Sequence, residues 1–312
     1  MPQPTALDIE KLCDNWCSAS TAPNGGINIG DKTERYRLLA NSVCFHELNH
    51  EVLCAALIGL SKVLLRPGLS TVVDHDHYAL WSWCGEILLG IRSTLFSQQQ
   101  YEIKSLYETT IHAALANCRK PPSTRDEWSE QNRILELQPH HAKQLLQQSG
   151  LVLTYLGFPL LEAVLKRSCA TYVAFDGKVL SPFEVPNKWG GTRKYKLNGQ
   201  CSSLRDLLFL HSIVVASPEL KALIDRFRIH LNSLDVIQDP FDLLFSWRNQ
   251  SLHGEANLQT IGGTVLNFSL LISLFEIKDC FDKHRLQALD NCRWEARLQA
   301  KSRAPLSFYP PY

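Results

Sequence analysis

The chain has almost no net charge, since 32 Lys and Arg against 31 Asp and Glu leave +1 over 312 residues. A whole-protein cationic field is therefore excluded as a means of gripping nucleic acid, and any such contact has to come from a local basic stripe. Long apolar runs are also lacking. Val52 to Leu65 and Val265 to Phe275 fall short of the ~20 residues that span a bilayer and are interrupted by polar residues, so no membrane contact is expected. The opening MPQPTALDIEKLC has no basic stretch leading into an apolar one, which makes export unexpected. A compact disulfide framework is missing as well: the ten cysteines are scattered through apolar stretches, as at Cys54, Cys84, Cys169 and Cys280, and read as reduced thiols of a cytoplasmic protein. There is no Walker loop, no Gly-rich dinucleotide turn after a strand and no Ser-centred nucleophile elbow, so no cofactor is expected. In the N-terminal part no internal repeat and no run of alternating apolar and polar residues calls for a sheet.

What remains is helical, and the expected fold class is all-α. Apolar residues at spacings of three and four run from Thr33 until Pro67-Gly68, then from about His77 to Phe96 and from about Gln100 to Cys118. Pro121-Pro122 and the polar run STRDEWSEQNR break that pattern. A chain of this length exceeds what one core usually holds, which predicts an N-terminal helical domain over 1–135 and a second helical domain over 140–290. In the second unit Pro159 should kink or restart a helix. The turn residues of 174–199, among them Asp176-Gly177, Gly190-Gly191 and Asn198-Gly199, predict a loop with a small hairpin. Ser217-Pro218 and Asp239-Pro240 each put an N-cap oxygen before a proline whose missing amide is harmless in the first turn. Residues 291–312 read as a poorly ordered tail.

The helix starting at Pro240 carries Arg248-Asn249-Gln250-Ser251-Leu252-His253, and Gly254 reads as its left-handed cap. Asn249 and His253 are four apart and face each other, while Arg248 sits about 140° from His253 on an ideal helix, so the two converge only if the last turn unwinds. A permanent cation beside a titratable imidazole suits phosphodiester chemistry. The plain alternative is that Arg248 and His253 cap the helix and pair with Asp242 or Glu255.

The segment WRNQSLHGE resembles the signature of HEPN domains, helical bundles that carry an Arg, a polar residue after it and a His further along one helix. The similarity extends to the earlier LLEAVLKR helix and the following IGGTVLNFSLLISLFEI helix, whereas the 174–199 insertion and the N-terminal helices are additional to a minimal unit. The resemblance implies a metal-independent endoribonuclease of the toxin or antiviral kind. His253 would be the general base toward a ribose 2′-OH, Arg248 would hold the charge that builds on phosphorus, and Asn249 would orient the substrate. It implies an RNA substrate, a two-fold homodimer and an antitoxin or regulatory partner; a non-catalytic RNA- or nucleotide-binding module is the alternative. Within the insertion Lys188, Arg193, Lys194 and Lys196 interleave with Phe175, Phe183, Trp189 and Tyr195, a pattern in which cations hold phosphate and aromatics stack bases, or in which the aromatics simply pack.

A competing motif is His46-Glu47-Leu48-Asn49-His50, which spells the zincin pattern of two His one helical turn apart with a Glu base. Asp74, His75, Asp76, His77 or Glu86 would supply a third zinc ligand, and Cys54 continues the face of His50. No strand signals precede it, Glu51 is atypical, and a solvated amphipathic helix accounts for the same residues without metal.

Overall fold

The computed structural model describes residues 3–15, 20–21, 27–28, 38–65, 73–91, 93–120, 122–232, 234, 239–252, 258–299 and 307–311. The described chain is all-α. Its helices are α1 (Ala6–Asn15), α2 (His50–Leu64), α3 (His75–Leu89), α4 (Tyr101–Leu115), α5 (Arg125–Glu136), α6 (His140–Gln147), α7 (Ser149–Ser168), α8 (Leu204–Leu210), α9 (Pro218–Asn232), α10 (Pro240–Leu252), α11 (Leu258–Glu276) and α12 (Phe281–Gln299). Two antiparallel strand pairs accompany them, β1 (Ser20–Thr21) with β2 (Ile27–Asn28) and β3 (Phe183–Pro186) with β4 (Thr192–Tyr195). The second pair is the hairpin expected in the insertion. The first was not expected, because two residues per strand leave no alternation to read.

Helix starts follow short polar side chains that satisfy the free amides of a first turn. Asn49 accepts from Val52 N at 3.0 Å, Ser203 from Asp206 N at 3.3 Å, Ser217 from Leu220 N at 3.3 Å and Asp239 from Phe241 N at 2.8 Å. Asp74 caps α3 twice, toward Asp76 N and His77 N. The polar run expected only to interrupt the pattern is itself a helix, α5, because Thr124 accepts from Glu127 N at 3.2 Å while Glu127 accepts from Ser123 N at 2.6 Å. Pro159 is accommodated inside α7 without a break in the helix.

The two domains expected on either side of 135–140 are not separate bodies. One buried cluster runs from Ile9 through Trp81 and Tyr107 to Leu161, Phe268 and Ala288. Helix α11 lies along α7 and also against α2 and α3, and α4 packs on α7. Polar pins cross the same boundary. Trp81 Nε1 donates to Asn267 Oδ1 at 2.6 Å, Asn267 Nδ2 donates to Ser61 Oγ at 3.0 Å, and Tyr107 OH donates to Ser273 Oγ at 3.0 Å. Each such bond contributes only about 1 kcal/mol net, but an unpaired partner left in this core would cost more, which fixes how the helices are rotated. The close approach depends on Gly262 and Gly263. A Cβ on Gly262 would come within 2.7 Å of Thr154 Oγ1 on α7, and one on Gly263 within 2.9 Å of Leu64 Cδ1 on α2.

The C-terminal segment expected to be a loose tail is α12 as far as Gln299, and Phe308 and Tyr309 then pack back on the core. Phe308 N donates to Glu86 Oε2 at 2.8 Å, and the Phe308 ring stacks on His112 with centroids 5.0 Å apart. Among the described residues one single helix, α7, is long and apolar enough to cross a membrane, with half of its apolar window buried inside the protein. Thr154, Gly157 and Pro159 divide it, so no unbroken apolar run marks it in the sequence. It serves here as a central helix of the core, packed on α4 and α11.

Candidate functional site at the groove between α7 and α10

Helix α10 is anchored by Phe241 and Leu244, both fully buried, each stabilising the fold by about 2 kcal/mol through burial. Its register is held by Asp242, whose carboxylate accepts from Arg205 Nε on α8 at 2.5 Å. The same guanidinium donates through Nη1 to the Pro186 carbonyl of β3 at 2.6 Å and to Asp206 at 3.2 Å, so hairpin, α8 and α10 form one block.

Two turns beyond Asp242, Arg248 reaches a groove of about 310 Å³ against α7. Tyr155, Phe158 and Phe175 supply its aromatic walls and Glu162, Lys166 and Ser251 its polar groups. On α7 the lining follows a spacing of four through Thr154, Phe158, Glu162 and Lys166, one face of a helix. Glu162 Oε1 pairs with Lys166 Nζ at 2.8 Å, and Lys166 also donates to the Phe175 carbonyl at 3.0 Å, which ties the insertion to the rim of the groove. Arg248 Nη2 lies 3.9 Å from Glu162 Oε2, too far for a hydrogen bond, and among the described residues the guanidinium makes none. Its donors therefore face the groove while it stays one-third exposed. Ser251, one turn from Arg248, is buried, and its hydroxyl has no partner among the described residues.

Arg248 and Asn249 are not brought together at this groove: Arg248 shares its face with Ser251, and Asn249, about 100° round the helix, is not part of the lining. His253 lies outside the described residues, together with Gly254 and Glu255. Sequence reasoning missed Glu162, Lys166 and Ser251, although the Glu-x-x-x-Lys spacing on an apolar helix was a readable sign of a charged pair on one face.

No family model, curated protein or solved structure matches this chain.

Of the five cations in the insertion, Lys188, Arg193, Lys194 and Lys196 fare differently. Arg193 Nη1 donates to the buried Asp206 at 3.0 Å, beside Tyr195 OH, which donates to the same oxygen at 2.6 Å. Burial, together with that acidic neighbour, pushes the Tyr195 phenol far above its ordinary value. Lys194 forms a cross-strand pair with Glu184 at 3.0 Å. Lys188 sits over the Trp189 ring at 5.8 Å, and Lys196 is exposed. Of the four aromatics, Phe183 and Tyr195 stack at 4.6 Å and are buried, whereas Phe175 is 47% and Trp189 88% exposed. The tip that presents Trp189 needs Gly190 and Gly191, whose φ values of +90° and +77° suit no side chain.

The zincin spacing is not realised. His46 and Glu47 belong to a 3-10 turn over Phe45–Glu47, Leu48 and Asn49 are extended, and α2 begins only at His50. The two imidazoles point to different surroundings. His46 Nδ1 lies 3.0 Å from Tyr309 OH, and His50 Nε2 donates to the Leu274 carbonyl at 3.1 Å. Burial holds the pKa of His50 below its ordinary value. Of the expected third ligands, Asp74 pairs with His77 Nδ1 at 2.7 Å, Asp76 accepts from the amides of Leu38 and Leu39, and Glu86 accepts from Phe308 N. Among the described residues no three His, Cys, Asp or Glu side chains gather as a metal site.

Proposed function

We propose that the chain is a metal-independent endoribonuclease acting at the groove between α7 and α10, as its resemblance to HEPN effectors implies. The observation that carries this reading is Arg248: a half-buried guanidinium without a hydrogen-bonded partner among the described residues, turned into an aromatic-walled groove. A permanently charged, planar donor set in that position is suited to a phosphate oxygen pair. Five residues on, His253 supplies an imidazole, the side chain suited to accept a proton in such chemistry. It takes the proton of a ribose 2′-OH as O2′ attacks phosphorus, Arg248 stabilises the charge on the non-bridging oxygens, and the proton ends on the departing 5′-oxygen. The products are a 2′,3′-cyclic phosphate and a 5′-OH end, and DNA, which lacks the nucleophile, is spared.

Asn249 orients the substrate from the neighbouring face of α10, and Lys188, Lys194 and Lys196, with Trp189, extend the RNA path along the hairpin. A single Arg and His offer few groups to hold a strand, so the functional unit is taken to be a two-fold homodimer with RNA lying across it. An antitoxin or another regulatory protein would restrain it. A cytoplasmic setting is taken from the cysteines, which are scattered through apolar stretches rather than spaced as a disulfide framework.

The deciding experiment incubates purified protein with single-stranded RNA and with DNA of the same sequence, in EDTA. Cleavage of RNA alone, leaving cyclic phosphate ends, is expected. Activity that EDTA abolishes would refute the mechanism. RNA binding without cleavage supports the second reading, a non-catalytic RNA- or nucleotide-binding module using the same groove. Sedimentation at tens of micromolar tests the dimer.

A further inference from the structure

We infer that the groove beneath Arg248 selects guanine, with Glu162 and Lys166 reading the base while Arg248 holds its phosphate. This deepens the reading of the groove as an RNA site and rests on it. Sites for small ligands commonly enclose roughly 300–1,000 Å³. At about 310 Å³ the groove is at the small end of that range, the scale of a single nucleotide rather than of a strand.

Its chemistry is asymmetric in a way that distinguishes the four bases. Glu162 presents a carboxylate, an acceptor on both oxygens, and Lys166 places an ammonium 2.8 Å from Oε1. With one proton donated to Glu162 and one to the Phe175 carbonyl, the ammonium keeps a third for a ligand. A carboxylate beside an ammonium complements an edge that has two adjacent donors followed by an acceptor. The Watson–Crick edge of guanine has that order, with N2–H and N1–H toward Glu162 and O6 toward Lys166. Adenine and cytosine place a ring-nitrogen lone pair where guanine has N1–H, against the carboxylate. Uracil has one donor between two acceptors and leaves one carboxylate oxygen facing a carbonyl.

The remaining lining fits the same ligand. Tyr155 and Phe175 are partly exposed aromatics at the rim, placed to stack on a base, and Phe158 is a buried wall. The Ser251 hydroxyl, buried and without a partner among the described residues, is a hydrogen-bonding group on the α10 side of the groove. Arg248 Nη2, 3.9 Å from Glu162 Oε2, keeps the phosphate-binding group next to the base-reading group. A site built to hydrogen-bond a particular edge discriminates far more strongly than an apolar pocket, because the wrong base leaves its polar groups unpaired.

The test measures binding of 5′-GMP, AMP, CMP and UMP, and of RNA hexamers with one guanine or none, to the full chain by calorimetry, and maps cleavage on an RNA with all four bases. The expected result is at least a ~10-fold preference for guanine in binding or in cleavage position, lost in Glu162→Gln with an unchanged melting temperature. Tyr155→Ala, a rim substitution that spares the core, should weaken all four bases alike. A tighter fit of the hexamer than of GMP identifies guanine within RNA as the ligand; the reverse identifies a free guanine nucleotide. Guanine-selective binding with no RNA cleavage upholds this inference and overturns the nuclease reading. Cleavage without base preference, or a preference that Glu162→Gln leaves intact, overturns the inference and leaves the nuclease standing. Absence of both binding and cleavage overturns the two together.

Discussion

Arg205 on α8 and Asp242 on α10 are joined at 2.5 Å inside the protein, and through Pro186 the same guanidinium also holds the hairpin. Both residues are buried, so neither charge is met by water if the other is removed. Removing one partner of a buried pair typically costs about 3–5 kcal/mol. Arg205→Ala should therefore lower stability by that order in urea titrations and increase amide exchange in both 183–195 and α10. A variant as stable as the parent would mean that the pair does not organise the block.

Substitution at the groove should separate chemistry from folding. Arg248 and His253 are assigned roles in the transition state, where a base or an electrostatic group commonly contributes two orders of magnitude or more. Arg248→Ala and His253→Ala should each reduce RNA cleavage at least ~100-fold. For Arg248→Ala the melting temperature should hold, because the guanidinium has no hydrogen bond to a described residue. Activity surviving both changes would rule out the assigned roles.

The hairpin cations are predicted to divide into two groups. Lys188→Ala, Lys194→Ala and Lys196→Ala together, or Trp189→Ala alone, should weaken RNA binding, and the triple variant should flatten the salt dependence of log K by up to ~2, at ~0.7 per single-strand phosphate contact. Arg193→Ala should act through Asp206 instead, loosening the hairpin with a smaller change in that slope. If Arg193→Ala moves the salt slope as much as the lysines do, its pairing with Asp206 does not persist in solution.

His211 gives a pH prediction. It is buried at the end of α8, where desolvation pulls its pKa down from 6.5 to about 4. Above 6.5 both folded and unfolded chains carry it neutral and its contribution to stability is complete. Between 6.5 and about 4 the unfolded chain binds the proton more readily, so stability falls as pH falls. The difference amounts to roughly 3 kcal/mol across that window. His211→Gln should flatten the decline in unfolding free energy between pH 7 and pH 4.5. An unchanged slope would mean that other groups carry it; Asp76, raised to about 6 by burial, works in the opposite direction.

Much of the local architecture was written in single residues. Ser217-Pro218 and Asp239-Pro240 announce α9 and α10 because an N-cap oxygen and a proline act within one turn, whatever surrounds them. The Gly190-Gly191 tip likewise needs only its own backbone. The competing zincin spacing is not realised for the complementary reason. Spacing of His46 and His50 has meaning only on a continuous helix, and α2, capped by Asn49, starts only at His50, four residues past His46.

What the sequence by itself determined, then, was an all-helical chain with a hairpin insertion, set by caps, periodicity and turns that operate over a few residues. The tertiary structure alone decided that 1–135 and 140–290 share one core, since Trp81 and Asn267 meet only when α3 and α11 are packed. It also decided that Arg248 lies beside Glu162 and Ser251 rather than beside Asn249, because the face of α10 turned to α7 is chosen by the burial of Phe241 and Leu244 and by the Arg205–Asp242 bond. Such pairings join residues scores of positions apart, and no short-range preference in the chain encodes them.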